Sequence, residues 1–136
     1  MSDFDHPVQL ILDASALAAY GNSETVGELL SEVEEEDHLI AIPQGSLAQA
    51  LGANAHRGLL ALLLERDRCV EVDPMEDWEE LGKFLGLVGT AHDLHDAAIV
   101  LAAVRYKAYI LTDRPSDYTR IFKGVRCIKL EAPWAD

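Results

Sequence analysis

The chain has 136 residues, the length of one ordinary domain, and its 49% apolar content is enough for a core, so it does not read as a disordered segment. It carries 11 Lys+Arg against 24 Asp+Glu, a net charge of −13, which argues against non-specific nucleic-acid binding because such binding rests on neutralising phosphates. No apolar run approaches the roughly 20 residues of a membrane helix, and the acidic start Met-Ser-Asp-Phe-Asp-His6 lacks a signal peptide's basic region, so a cytoplasmic protein is expected. The charge is uneven: residues 1–96 hold 4 Lys+Arg and 20 Asp+Glu, whereas residues 97–130 hold 7 and 2.

Taken in chain order, Val8–Leu12 is a short apolar run that predicts a strand ending at Asp13, and Ala14–Tyr20 predicts a helix that Asp13 can cap. Thr25–Glu36 places Val26, Leu29, Leu30 and Val33 on one helical face and continues a solvated row of Glu24, Glu28 and Glu32. Leu39–Ile42 is a second strand, stopped by Pro43. Ser46–Leu51 and Gly58–Arg66 read as a helical pair interrupted near Gly52. Cys69–Val72 is a third strand. Met75–Leu87 follows as an amphipathic helix with Trp78, Leu81 and Leu85 on its core face. His92–Lys107 is the most apolar helix, and Tyr109–Thr112 and Val125–Leu130 are the last two strands. Cys69 and Cys127 fall within strand-like runs and read as buried, reduced thiols.

Alternating strands and helices predict an α/β fold: a single domain, 1–136, built as a three-layer α/β/α sandwich with a central parallel sheet of four to five strands. In such sheets function gathers at the carboxyl ends of the strands. Asp13 and Asp113 each follow a strand directly. Asp96 sits one turn into an apolar helix and leads the stripe Ile99, Val100, Ala103, so its carboxylate faces the sheet and needs a partner. Asp93, by contrast, has capping-box spacing from Thr90 and so a structural role. The segment Thr112-Asp-Arg-Pro-Ser-Asp117 reads as an Asp-Pro-type turn with a helix cap, or as part of the acidic site. Convergence of Asp13, Asp96 and Asp113 would require a cation, and hard oxygen ligands of this kind suit Mg²⁺ or Mn²⁺.

On these residues the sequence resembles the PIN-domain family, in particular the VapC-like toxin ribonucleases. Leu-Ile-Leu-Asp13-Ala-Ser15-Ala-Leu resembles the family's opening motif. Asp96-Ala-Ala-Ile-Val-Leu-Ala-Ala resembles the helix with its third acid, and Tyr-Ile-Leu-Thr112-Asp113-Arg-Pro-Ser-Asp117-Tyr118 resembles its closing Thr-Asp element. The resemblance spans essentially the whole chain. It implies a Mg²⁺- or Mn²⁺-dependent endoribonuclease with Asp13, Asp96 and Asp113 as catalytic and metal residues and Ser15, Thr112 and Asp117 in support. It also implies RNA as substrate, a small antitoxin as inhibitory partner and a homodimer. Arg114, beside Asp113, is the RNA-binding candidate, since a guanidinium grips phosphate well; a surface ion pair is the simpler reading. The seven basic residues from Arg105 to Lys129 form a wider candidate path for the strand.

One position departs from the family pattern. A Glu is expected after the second strand, and the row reads Pro43-Gln-Gly-Ser-Leu-Ala-Gln49-Ala. An amide offers a carbonyl oxygen but no negative charge. Gln49 also has capping-box spacing from Ser46, and Glu24 or Glu28 are possible substitute acids or simply a solvated face. The alternative function is therefore a catalytically decayed PIN domain that binds protein or RNA without cutting. A zinc pair of His92 and Asp96 near His95 lacks further ligands with zinc spacing, and His6, His38 and His56 read as surface histidines. A receiver-type acidic pocket would want adjacent acids after the first strand, whereas Asp3 and Asp5 precede it. Neither common phosphate loop and no Gly-x-Ser-x-Gly motif is present.

Overall fold

The computed structural model describes residues 4–130; Asp3 and the stretch 131–136 lie outside them. Five strands, β1 (Val8–Leu12), β2 (Leu39–Pro43), β3 (Cys69–Val72), β4 (Tyr109–Thr112) and β5 (Arg126–Lys129), form one all-parallel sheet in the order β3-β2-β1-β4-β5. The helices are α1 (Ala14–Ala19), α2 (Glu24–Glu35), α3 (Gln44–Gly52), α4 (Arg57–Leu64), α5 (Trp78–Val88), α6 (Leu94–Tyr106) and α7 (Pro115–Thr119).

The pleat sorts the core into two halves. Leu10, Leu12, Ile40 and Ile42 point to one face and pack with residues of α1 to α4, including Leu17, Leu30, Ala50 and Leu63. Val8, Ile11, Leu39 and Ala41 point to the other and pack with α5, α6 and Tyr118 of α7. This is the three-layer α/β/α arrangement that the alternation of elements predicts. The α6 run Ala97–Ala103 is buried throughout, and its four alanines let that helix lie close on the sheet. The parallel registers Leu12↔Leu111 and Leu111↔Ile128 align the carboxyl ends of β1, β4 and β5. The chain builds outward from β1 to β2 and β3, then crosses to β4 on β1's other side. The carboxyl ends of β1 and β4 therefore flank the topological switch point, where open parallel sheets place their ligand sites.

Several local expectations are corrected. Trp78 is 73% exposed and so leaves the expected core face, whereas Leu81 is buried there as expected, Leu85 packs against it half-buried and Phe84 joins them; α5 starts only after Asp77, which caps it by accepting from the Glu80 N–H at 3.1 Å. Asp93 is itself the N-cap of α6, accepting from the Asp96 N–H at 2.9 Å, so no capping box with Thr90 forms. Ser46 lies within α3 behind an N-cap at Pro43, which removes the capping box with Gln49. The Asp113 segment is more than a turn: Pro115 opens the short helix α7, with Arg114 at its N-cap. Both cysteines are free and only partly buried, and burial pushes the Cys69 thiol up to about 12 and the Cys127 thiol up as well.

Candidate functional site

Asp13 ends β1 and begins α1. Its Oδ1 accepts from the Ala16 N–H at 3.1 Å, so the helix cap expected from sequence is present. The same oxygen accepts from the Ser15 hydroxyl at 2.5 Å, and Oδ2 accepts from the Tyr118 hydroxyl at 2.9 Å. The side chain is only 1% exposed. A carboxylate this deep is tolerable only because donors reach both of its oxygens. Burial and the charge of Asp13 hold the Tyr118 phenol well above its ordinary value, so it stays a proton donor.

Ser15 also joins two strands, since its hydroxyl accepts from the Asp113 N–H at 3.0 Å. The fully buried Thr112 accepts from the Arg114 N–H at 2.9 Å and fixes the turn out of β4. Together these two hydroxyls set the backbone from which Asp113 and Arg114 project. Asp96 comes from the first turn of α6 with its side chain 14% exposed, and burial raises its pKa against the opposing pull of Arg114.

The three acids singled out from sequence therefore come to one place, and what they surround is the guanidinium of Arg114. Its Nη2 lies 3.5 Å from Asp96 and 4.0 Å from Asp13. Its Nε lies 3.9 Å from Asp113, and its Nη1 donates to Asp117 at 3.0 Å. Its face lies over the Tyr118 ring, 5.7 Å from the centroid. The expectation of a surface ion pair is thus half right: Arg114 is 44% exposed, but it serves four carboxylates at once.

Two solved structures resemble this one over nearly its whole length. A chain of VapBC2 from Rickettsia felis, bound to a DNA fragment from their promoter, is 18% identical with a TM-score of 0.65, covering 91% of this chain and 100% of its own. A chain of FitAcB from Neisseria gonorrhoeae is 16% identical with a TM-score of 0.53, covering 93% and 99%. Both are toxin–antitoxin complexes with a PIN-domain toxin. The fold is PIN-like. No protein-family model and no curated protein sequence matches the chain.

Within this PIN-like frame the remaining candidates separate. Asp117 joins the cluster and also pairs with Arg120 at 3.0 Å. Gln49 is exposed on α3, and among the described residues no hydrogen bond ties it to the three acids. Glu24 and Glu28 are exposed on α2, as a solvated face requires. The basic residues of the last quarter do not form one path. Arg126 opens β5, stacks 4.2 Å from the Tyr109 ring and donates to the Lys107 carbonyl at 2.6 Å, all at the amino ends of the strands, whereas Arg114 and Lys129 lie at the carboxyl ends.

Three participants were missed in the sequence. Tyr118 reaches Asp13 from α7, a helix whose five residues leave almost no periodic signal. Ser46, fully buried, is hydrogen-bonded to His95 Nε2 at 3.2 Å and braces α3 against α6 beside Asp96. Gly45 makes room for that ring, because a Cβ there would stand 2.5 Å from it. Nothing in the spacing of Gly45, Ser46 and His95 announces this contact across 49 residues.

The arrangement also bears on the expected metal. The carboxylates are of the right chemical kind for Mg²⁺ or Mn²⁺, which needs oxygens at about 2.1 Å from one centre. Here they stand 3.0–4.0 Å from the nitrogens of a guanidinium lying among them. Among the described residues no three acidic, histidine or cysteine side chains are disposed to hold an ion. As arranged, the cluster fits an arginine and does not fit a divalent cation. A separate cavity of about 640 Å³, lined by Glu71, Asp73, Trp78 and Arg105 among others, shares no residue with the cluster.

Proposed function

We propose that this protein is a toxin-type PIN endoribonuclease that hydrolyses RNA phosphodiester bonds, with Asp13, Asp96 and Asp113 as its catalytic residues. The observation that carries the reading is their meeting from β1, α6 and the end of β4 at the sheet's switch point. Like charges gather this way at a structural cost, and a site that acts on a phosphodiester is the reason that best accounts for it. Asp13 is rigidly held by three donors, whereas Asp113 is exposed and faces solvent from which a strand can approach.

The cofactor of the proposal is Mg²⁺ or Mn²⁺, whose preference for hard oxygens the residues meet in kind. Arg114, 44% exposed but turned onto the four carboxylates, would bind a backbone phosphate by swinging out of the cluster. Similarity to chains of two toxin–antitoxin complexes supports a small antitoxin as partner, and a homodimer and a cytoplasmic setting belong to the same reading. Among the described residues no helix is long and apolar enough to cross a membrane.

A second reading is a PIN-like domain that binds RNA or protein without cutting it. Arg114 seated among the acids and Gln49 in place of an acid favour it. Purified protein incubated with single-stranded RNA and Mn²⁺, beside Asp13→Asn, decides between the two. Cleavage that the substitution abolishes supports the ribonuclease. Binding without cleavage supports the module, and cleavage that survives in Asp13→Asn rejects the mechanism.

A further inference from the structure

The disagreement between the cluster and a divalent ion leads to an inference of its own. We infer that Arg114 is a built-in counter-ion that occupies the cation position of the acidic site and competes there with divalent metal. The inference rests on the reading of the acids as a metal-dependent site and adds how access to that site is controlled.

Three features carry it. First, the guanidinium faces the groups that a cation at this position would face: Asp13, Asp96, Asp113 and Asp117 lie 3.0–4.0 Å from its nitrogens, and the Tyr118 hydroxyl accepts from it at 3.4 Å. Second, only its contact with Asp117 is a hydrogen bond of ordinary length to a carboxylate; the other three acids are held at longer range. A compact ion that drew oxygens to about 2.1 Å would satisfy those three better. Third, the side chain lies open to solvent on one side. Its backbone is pinned by the Thr112 hydroxyl and by Pro115, but the side chain is 44% exposed and can rotate into solvent without unfolding α7. Arg114, with Arg120 on the outer oxygen of Asp117, sets two positive charges against four carboxylates, so the site keeps an attraction for cations while its centre is filled. Metal entry and Arg114 departure are then one exchange, and the released guanidinium stays within reach of a phosphate brought to the same rim.

The test measures Mn²⁺ binding by calorimetry and by the shift in Tm for the unaltered chain, Arg114→Gln, Arg114→Lys and the double variant Asp13→Asn/Arg114→Gln. Arg114→Gln should melt lower without metal, recover with Mn²⁺ and bind Mn²⁺ about tenfold more tightly than the unaltered chain. Arg114→Lys keeps the charge, loses the fork and should fall between the two, which also covers the case in which Arg114→Gln does not fold. The double variant should lose the gain. Equal or weaker Mn²⁺ affinity in both single variants, or a gain that survives Asp13→Asn, overturns the inference. A gain in Mn²⁺ affinity without RNA cleavage supports it and instead removes the ribonuclease reading.

Discussion

Two arginines in this molecule sit beside a tyrosine and face acids, and they solve opposite problems. Arg66 holds Glu34 through both Nε and Nη2, donates to the Tyr20 and Ser31 hydroxyls, and stands 6.0 Å from the Tyr20 ring. One cation meets one carboxylate in a two-pronged bond, and the side chains are 24% and 21% exposed. That pair is complete and ties α2 to the end of α4. Arg114 faces four carboxylates, forms one ordinary hydrogen bond to them and is 44% exposed. The difference teaches how to tell a brace from a site. A brace balances its charges, whereas a site keeps an excess of one sign, and here the excess is negative.

Substitutions sharpen the contrast. The largest effect is expected at Asp13, where Asp13→Ala removes the cap of α1 and leaves the buried Tyr118 hydroxyl without its acceptor, a loss of about 2–4 kcal/mol in denaturant unfolding. Asp13→Asn keeps an oxygen for Ala16 and Ser15, so it should lose less stability while losing activity. Arg66→Ala should cost about 1–3 kcal/mol and leave RNA cleavage by the folded fraction intact, since Arg66 lies outside the acidic cluster. If cleavage fell as steeply as stability, the distinction between the two arginines would be lost.

A smaller and opposite effect is expected at Asp96. Burial raises its folded pKa above the unfolded value, so the folded state binds more protons between the two, and stability falls as pH rises from the ordinary carboxylate value, 3.8, through the raised one. Asp96→Asn should therefore raise Tm at neutral pH and flatten that part of the pH profile. A lower Tm at neutral pH would mean that the Arg114 pairing outweighs burial. The smallest effect concerns Cys69, whose burial-raised thiol should stay unreactive to alkylation at pH 8 in folded protein; rapid labelling would contradict that.

Much of this was legible in the sequence because it depends on local pattern. All five strands were found because short β-branched and apolar runs flanked by breakers leave a clear mark, and β1, β3 and β4 have the bounds read from sequence. Asp13, Asp96 and Asp113 stand out by position, two at strand ends and one leading a buried stripe, and the family resemblance rests on the same three. The misses are of two kinds. Helix starts moved where an aspartate took the cap itself, at Asp77 and Asp93, since several neighbouring acids compete for that role. Side-chain partnerships across the fold were invisible: Tyr118 on Asp13 spans 105 residues, and Arg114's turn into the cluster depends on the rotamer and the short helix behind it. Sequence placed the acids at one rim but did not reveal that the chain supplies their cation.

The measurement that tests this account most directly is the anomalous scattering of manganese in crystals of Arg114→Gln grown with Mn²⁺. The account predicts a peak within about 2.2 Å of carboxylate oxygens of Asp13 and Asp96, where the guanidinium lies in the unaltered chain. A well-ordered cluster with no peak, or a peak bound elsewhere on the acidic surface, would contradict it.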